Sequence, residues 1–173
     1  MTYGVAQIAV GLVLLQRLLE LGYAQRNARR LLEEGGVEHG VEHYPWIVAL
    51  HGLWLAGLAL AVDADTAVNW WFLGAFLALQ PLRLWTLLSL GRFWTTRVIT
   101  LPGAAPVAHG PFRWVRHPNY AIVALELALL PLAFGLWWLA LAATVANGAV
   151  MRVRLRVENE ALAATAPSSR RRS

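Results

Sequence analysis

The sequence predicts an all-α membrane protein of about five transmembrane helices, the last two forming a C-terminal helical hairpin, with a long irregular loop and a tail helix on one membrane face. Three observations carry that prediction. Of 173 residues, 58% are hydrophobic and 14% charged, against roughly half and a quarter in ordinary globular domains. The apolar residues arrive in blocks of about 20, the length that crosses a bilayer, rather than in short amphipathic runs. The arginines collect in every second connection between those blocks, as they do in loops retained in the cytoplasm.

The first block, Gly4 to about Ala24, has no basic stretch ahead of it and no small-residue cleavage site, and it contains Arg17 and Glu20. A retained helix is therefore expected in place of a signal peptide. Trp46 to Val62 and Ala67 to about Leu90 form the next two spans, the second interrupted late by Gln80, Pro81 and Arg83. Tyr120 to Phe134 and Leu136 to about Met151 meet at Gly135 with almost no loop, which predicts a tight hairpin.

Arg26, Arg29 and Arg30 follow the first span, Arg92, Arg97, Arg113 and Arg116 the third, and Arg152, Arg154 and Arg156 the fifth. The alternate connections, Asp63-Ala64-Asp65 and Gly135, carry no arginine. The expected topology is multi-pass, with an outside N-terminus and a cytoplasmic C-terminus. Residues 1–166 read as one domain, and 167–173, rich in arginine, as a disordered basic tail near anionic lipid.

All 15 basic residues are arginine and the formal charge is +5. They lie beside apolar segments instead of forming a soluble basic face, so inner-leaflet phospholipid is the expected partner and nucleic acid is not. The absence of cysteine removes disulfides, thiolate nucleophiles and thiolate metal sites. No set of His, Asp and Glu has zinc-like spacing, so no metal is expected.

The stretch from Arg92 to Asn119 is too long for a plain turn and carries Pro102, Gly103, Pro106, Gly110, Pro111 and Pro118. Long irregular segments in compact proteins are functional or disordered, and its aromatic content argues for order. Its densest part runs from His109 to Tyr120 and holds two histidines, two arginines and three aromatics at the mouth of the fourth span. Pro118 suits a first helical turn, and the free amides of that turn suit a carboxylate or ribose hydroxyl. An interfacial arginine and aromatic anchor is the competing reading.

Past the fifth span, a helix puts Arg154 and Glu158 on one face at i, i+4. Alone they are an ordinary exposed ion pair, but the hairpin returns them to the membrane face of the His109 to Tyr120 segment. Arg17, Glu20 and Arg83 are intramembrane charges and hence candidate substrate contacts. Arg17 and Glu20, at i, i+3, equally suit mutual neutralisation near the interface. His51 reads as a hydrogen-bonded bundle residue, and Trp70 and Trp71 as part of an aromatic belt.

With these residues in view, the cytoplasmic segment and tail resemble the isoprenylcysteine carboxyl methyltransferase family, which belongs with the phospholipid methyltransferases. Its Gly, aromatic and Arg-His-Pro-x-Tyr pattern is present as Gly110, Phe112, Arg116, His117, Pro118 and Tyr120. Its tail pattern, Arg followed four residues later by Glu-Glu-x-x-Leu, reads Arg154, Glu158, Asn159 and Leu162 here, without the second glutamate. The N-terminal half, with Arg17-Leu18-Leu19-Glu20, Arg26-Asn27, Gly36, Glu38, His43-Tyr44-Pro45 and His51, is similar to a small bacterial branch of that family.

The resemblance implies a cofactor-binding part at about 92–166 in which S-adenosylmethionine lies under the long loop. Val107, His109, Gly110, Phe112, Arg116, His117, Pro118, Asn119, Tyr120 and Glu158 would hold it, and Arg154 would face the substrate. Arg154 and Glu158 are then the catalytic candidates, and Arg154, Arg83 and Arg17 the substrate-binding ones. It implies a cytoplasm-facing site in a bacterial inner membrane and a lipid-like acceptor: an isoprenylcysteine-type carboxylate, or an acidic hydroxyl on an alkylpyrone or phenolic lipid.

Methyl transfer from a sulfonium needs alignment and exclusion of water rather than a covalent intermediate. A carboxylate or enolate is already nucleophilic at neutral pH, so a chain lacking a Ser, Cys or His-Asp catalytic set is still competent. Two other readings stay open: an NADPH-dependent membrane reductase of related fold, and a non-catalytic scaffold.

Overall fold

Each apolar block becomes a helix, in the order α1 (Val5–Glu33), α2 (Tyr44–Ala61), α3 (Trp70–Leu90), α4 (Pro118–Ala133) and α5 (Trp137–Thr165). The computed structural model describes residues 3–165, so the expected basic tail at 167–173 lies outside the described residues. Helices α1 and α2, and the stretch Trp70–Phe93 that contains α3, are long and apolar enough to cross a bilayer, while α4 is a shorter apolar helix.

In the apolar windows of those three spans only 17%, 17% and 22% of residues are buried. A soluble bundle turns such faces inward; here they face outward, which suits hydrocarbon as solvent. Trp70, Trp71, Trp137 and Trp138 are exposed where α3 and α5 begin, at the same end of the bundle, as a belt at a membrane interface requires. The chain is an integral membrane protein.

Two helices outrun their apolar blocks. Helix α1 continues nine residues past Ala24, because Gln25 to Glu33, Asn27 apart, are good helix formers and Ala24, Asn27, Ala28 and Leu31 keep one face buried at helical spacing. Helix α5 runs unbroken through Met151 to Thr165, so the expected fifth span and tail helix are one element. The all-α expectation holds for the bundle, to which one short ribbon is added: β1 (Val37–His39) pairs antiparallel with β2 (Val98–Thr100), with Val37 opposite Thr100 and His39 opposite Val98. Three-residue strands are too short to show a period-two pattern.

The interior has three layers along the bundle axis. At the belt end lies the apolar core, in which Val10 and Val13 of α1, Trp54 and Leu58 of α2, Phe76 of α3, Leu127 and Leu130 of α4, and Leu139 and Ala143 of α5 pack together. The Asn69 side chain caps α3 by accepting from the amides of Trp71 and Phe72, and the Asn69 amide donates to Ala133 at 2.8 Å, joining the start of α3 to the end of α4. Pro131 has no amide hydrogen to give the Leu127 carbonyl four residues back. The buried Trp54 indole donates to that carbonyl instead, at 3.1 Å.

The middle layer is ionic. Arg83 donates from Nε to Glu20 Oε1 at 2.7 Å and from Nη1 to Glu126 Oε2 at 2.8 Å, and its Nη2 pairs with the other Glu20 oxygen. Arg17 joins the same carboxylates, at 3.0 Å to Glu20 and 2.7 Å to Glu126. Gln80 donates to Glu126 Oε1 at 3.0 Å, and Gln16 donates to Gln80 and to Glu20. Two guanidiniums and two carboxylates thus cancel, tying α1, α3 and α4 together. The third layer, at the opposite end from the core, is the cavity described below.

Removing Glu126 leaves both guanidiniums to share one carboxylate, that of the partly buried Glu20. Glu126→Ala is expected to cost about 3–5 kcal/mol, read as a lower thermal unfolding midpoint in detergent; a wild-type midpoint would mean the cluster does not bear on stability.

Candidate active site

A turn and a hairpin assemble the site. His117 precedes Pro118 at the first position of α4, and Gly135, with φ 73°, turns the chain directly from α4 into α5. The antiparallel return carries the Arg154 to Glu158 turn of α5 alongside Tyr120. The Tyr120 hydroxyl donates to Glu158 Oε2 at 2.5 Å and accepts from Arg154 Nε at 2.9 Å. Arg154 also lies over the Tyr120 ring, 5.4 Å from its centre, and donates from Nη1 to the Thr96 carbonyl at 2.8 Å. His117 stacks on Tyr120 with ring centres 5.2 Å apart and planes 7° from parallel, and its Nδ1 lies 3.7 Å from Glu158 Oε1.

The N-terminal half closes the site through the β1–β2 ribbon. His39 bonds the Thr100 hydroxyl at 2.8 Å and Tyr44 the Thr96 hydroxyl at 3.2 Å. Glu38 receives Arg97 Nη1 at 3.0 Å, and that hydrogen bond raises the Arg97 pKa further above its already high ordinary value. Arg97 lies over the Tyr44 ring at 5.0 Å. The Asn27 side chain donates to the carbonyls of Gly91 and Trp94, 3.0 Å each, holding the chain that leaves α3.

These elements enclose a cavity of about 190 Å³ whose lining includes Phe112, Arg116, His117, Pro118, Asn119, Tyr120, Arg154 and Glu158. The residues expected from the two separated clusters therefore meet in one place. Across from them stand Trp94, Thr95, Arg97 and Val98 to Thr100. The segment between Thr100 and Phe112 leaves the cavity wall and returns to it.

Other expectations fall elsewhere. Val107, His109 and Gly110 do not line the cavity, and His109 is exposed. Gly110 instead presses on α3: a Cβ there would sit 2.1 Å from Ser89 Oγ, and its φ of +60° favours glycine independently. Arg17 and Arg83, expected at the substrate, belong to the ionic layer; Arg83 reaches toward the site only by lying over the Trp94 ring at 5.7 Å. Asn159 and Leu162 of the tail pattern fall on α5, with side chains outside the described residues.

Sequence reasoning passed over Glu126, although a lone carboxylate in an apolar run is a signal in its own right. It also passed over a role for Thr96, Arg97 and His39, which no local pattern marks.

Residues 72–164 match the isoprenylcysteine carboxyl methyltransferase (ICMT) family. The chain belongs to that family. Membership carries a membrane methyltransferase activity, and the matched span contains the Gly110 to Tyr120 segment, the hairpin and Arg154 to Glu158. The chain is also similar to the uncharacterized protein YpbQ of Bacillus subtilis (strain 168), 33% identical over 159 residues, covering 90% of this chain and 95% of that relative. That likeness extends well beyond the family match into the half that supplies α1, α2 and β1. No solved structure matches the chain.

Because Gly110 has neither the room nor the backbone angle for a side chain, Gly110→Ala is expected to lift the loop off α3. Faster tryptic cleavage at Arg113 and Arg116 in the folded, detergent-solubilised variant is the readout, and an unchanged rate would contradict the packing.

Proposed function

We propose that this ICMT-family protein transfers a methyl group from S-adenosylmethionine to an acidic oxygen, carboxylate or enolate, of a lipid-like acceptor held in the membrane, with its active site facing the cytoplasm. The observation that carries this reading is the convergence of His117, Asn119, Tyr120, Arg154 and Glu158 on one cavity.

The residues present fit such a cofactor. Asn119 Oδ1 is buried without a hydrogen-bond partner among the described residues, and Asn119 lines the cavity. A buried acceptor left unpaired costs about 1–3 kcal/mol, which a ligand N–H or O–H would recover. Among the described residues, Glu158 Oε1 has only a 3.7 Å approach from His117, leaving it able to receive an ammonium group. The stacked His117–Tyr120 pair offers an aromatic wall to a purine. When bound, S-adenosylmethionine supplies an electrophilic methyl group on a sulfonium.

The chain's own residues then orient and exclude. Arg154, fixed by the Tyr120 hydroxyl and the Thr96 carbonyl, supplies positive charge for an anionic acceptor oxygen. Glu158 offsets positive charge on the cofactor and, through Tyr120, holds Arg154 in place. No residue need remove a proton, because a carboxylate or a 4-hydroxy-2-pyrone is ionised at neutral pH. An alkylpyrone or an S-prenylcysteine carboxylate meets these requirements, its tail in the bilayer and its head at the cavity; a phenolic lipid would do so only with an acidified hydroxyl.

Arg154→Gln is expected to lower turnover about 10²- to 10³-fold, the loss seen when one preorganised charge-stabilising donor is removed. The assay is transfer of labelled methyl from S-adenosylmethionine to a long-chain 4-hydroxy-2-pyrone and to an S-prenylcysteine. Calorimetry should show S-adenosylhomocysteine binding to the wild type and no binding of NADPH; the reverse would overturn the reading.

A further inference from the structure

We propose that Arg97 is a specificity-determining residue that receives the anionic oxygen of the methyl acceptor, with Glu38 and Tyr44 as the residues that position it. The inference rests on the methyltransferase reading above and extends it to a cavity residue held in place by the N-terminal half of the chain.

Arg97 lines the cavity and its side chain keeps 38% of its surface exposed. Arg154, by contrast, is 8% exposed and already spends Nε on Tyr120 and Nη1 on Thr96. Among the described residues, the Arg97 hydrogen bonds run from Nη1 to the two oxygens of Glu38, at 3.3 and 3.0 Å. The Tyr44 side chain beside the guanidinium adds to the attraction that holds it, and Nε and Nη2 make no further close hydrogen bond among those residues. That is the edge of a planar fork that binds a carboxylate or enolate oxygen, with five donors in fixed geometry.

The fork is also held still. Glu38 grips one nitrogen and Tyr44 lies under the guanidinium face at 5.0 Å. Glu38 sits on β1, opposite Ile99 of β2, while the backbone next to Arg97 carries the Thr96 carbonyl that Arg154 grips. Arg154 is thus tied to the residue next to Arg97, in the bend that leads into β2, and an oxyanion entering the cavity meets both. Ordering costs are lowered when such a side chain is fixed beforehand. A neutral or product-like head group would leave the Arg97 edge without a partner, so the residue discriminates for the ionised acceptor.

The same oxyanion chemistry exists at the carboxylate of S-adenosylmethionine, and the test separates the two. Full-length wild type, Arg97→Gln and Arg97→Lys, each shown to be monodisperse and thermally folded in detergent, are titrated with S-adenosylhomocysteine. In its presence they are then titrated with a long-chain 4-hydroxy-2-pyrone, an S-prenylcysteine, and the O-methylated counterpart of each. Arg97→Gln is expected to weaken the ionised acceptor roughly 10- to 100-fold, the worth of a charge-assisted hydrogen bond. It should leave S-adenosylhomocysteine within about twofold, since no contact to the cofactor is assigned to Arg97. The preference for ionised over methylated ligand should vanish, and Arg97→Lys, keeping charge without the fork, should restore part of it.

Unchanged acceptor affinity in Arg97→Gln would overturn the assignment, and an equal loss for S-adenosylhomocysteine would move the residue to the cofactor. If the wild type itself fails to bind S-adenosylhomocysteine, it is the methyltransferase reading that fails.

Discussion

A charge placed among apolar helices has no water to turn to, so its countercharge must come from the protein. That requirement organises this molecule. Glu126, in an otherwise apolar α4, is 1% exposed, and Arg17, Arg83 and Gln80 reach it from α1 and α3. Glu20 completes the exchange. An ion cluster of this kind is weak support for stability as a whole, since desolvation consumes much of the attraction. Its effect is on register: sliding any of the three helices by one turn would strand a charge, so their relative heights are set.

The site inherits that register. Tyr120 stands six residues before Glu126 on α4, about 9 Å along the axis, and Trp94 follows α3 beneath the Arg83 guanidinium. Fixing α3 and α4 at the ionic layer therefore fixes the two walls of the cavity, and the Gly135 turn adds the third by returning α5. Tyr120 joins the walls chemically, as its one hydroxyl donates to Glu158 and accepts from Arg154. Arg154 in turn fastens α5 to the Thr96 backbone ahead of β2. The ribbon then connects this C-terminal machinery to α1 and α2 through Glu38, His39 and Tyr44. The segment matched to the family supplies the residues that line the cavity, and the N-terminal half braces them from behind.

This construction suits a reaction between one partner that is soluble in water and another that is soluble in lipid. The cavity stands at the end of the bundle opposite the Trp70, Trp71, Trp137 and Trp138 belt, while the outer faces of α1 to α3 are apolar enough for hydrocarbon. A nucleophile already ionised at neutral pH asks little of the enzyme beyond position, dryness and charge. The concentration of guanidinium, aromatic and amide groups in the cavity, with no nucleophilic thiol in the chain, is consistent with that division of labour.

Much of this was determined by the sequence alone. Hydrophobic block length set α2, α3 and α4 to within a few residues, while α1 and α5 outran theirs, because the cost of exposing polar backbone to hydrocarbon leaves little else for an apolar stretch of about 20 residues to do. The Arg-His-Pro-x-Tyr and Arg154 to Glu158 patterns pointed to one site, because a hairpin with almost no loop has to bring its ends back together. What only the tertiary structure decided depends on contacts distant in the chain. Glu126 meets Arg17 across 109 positions and Arg97 meets Glu38 across 59. Gly110 needs its glycine because of Ser89 on another element, and two three-residue strands exist only because each is the other's partner. Local pattern can mark a residue such as Glu126 in its apolar run, but it carries no record of which distant residue each one meets.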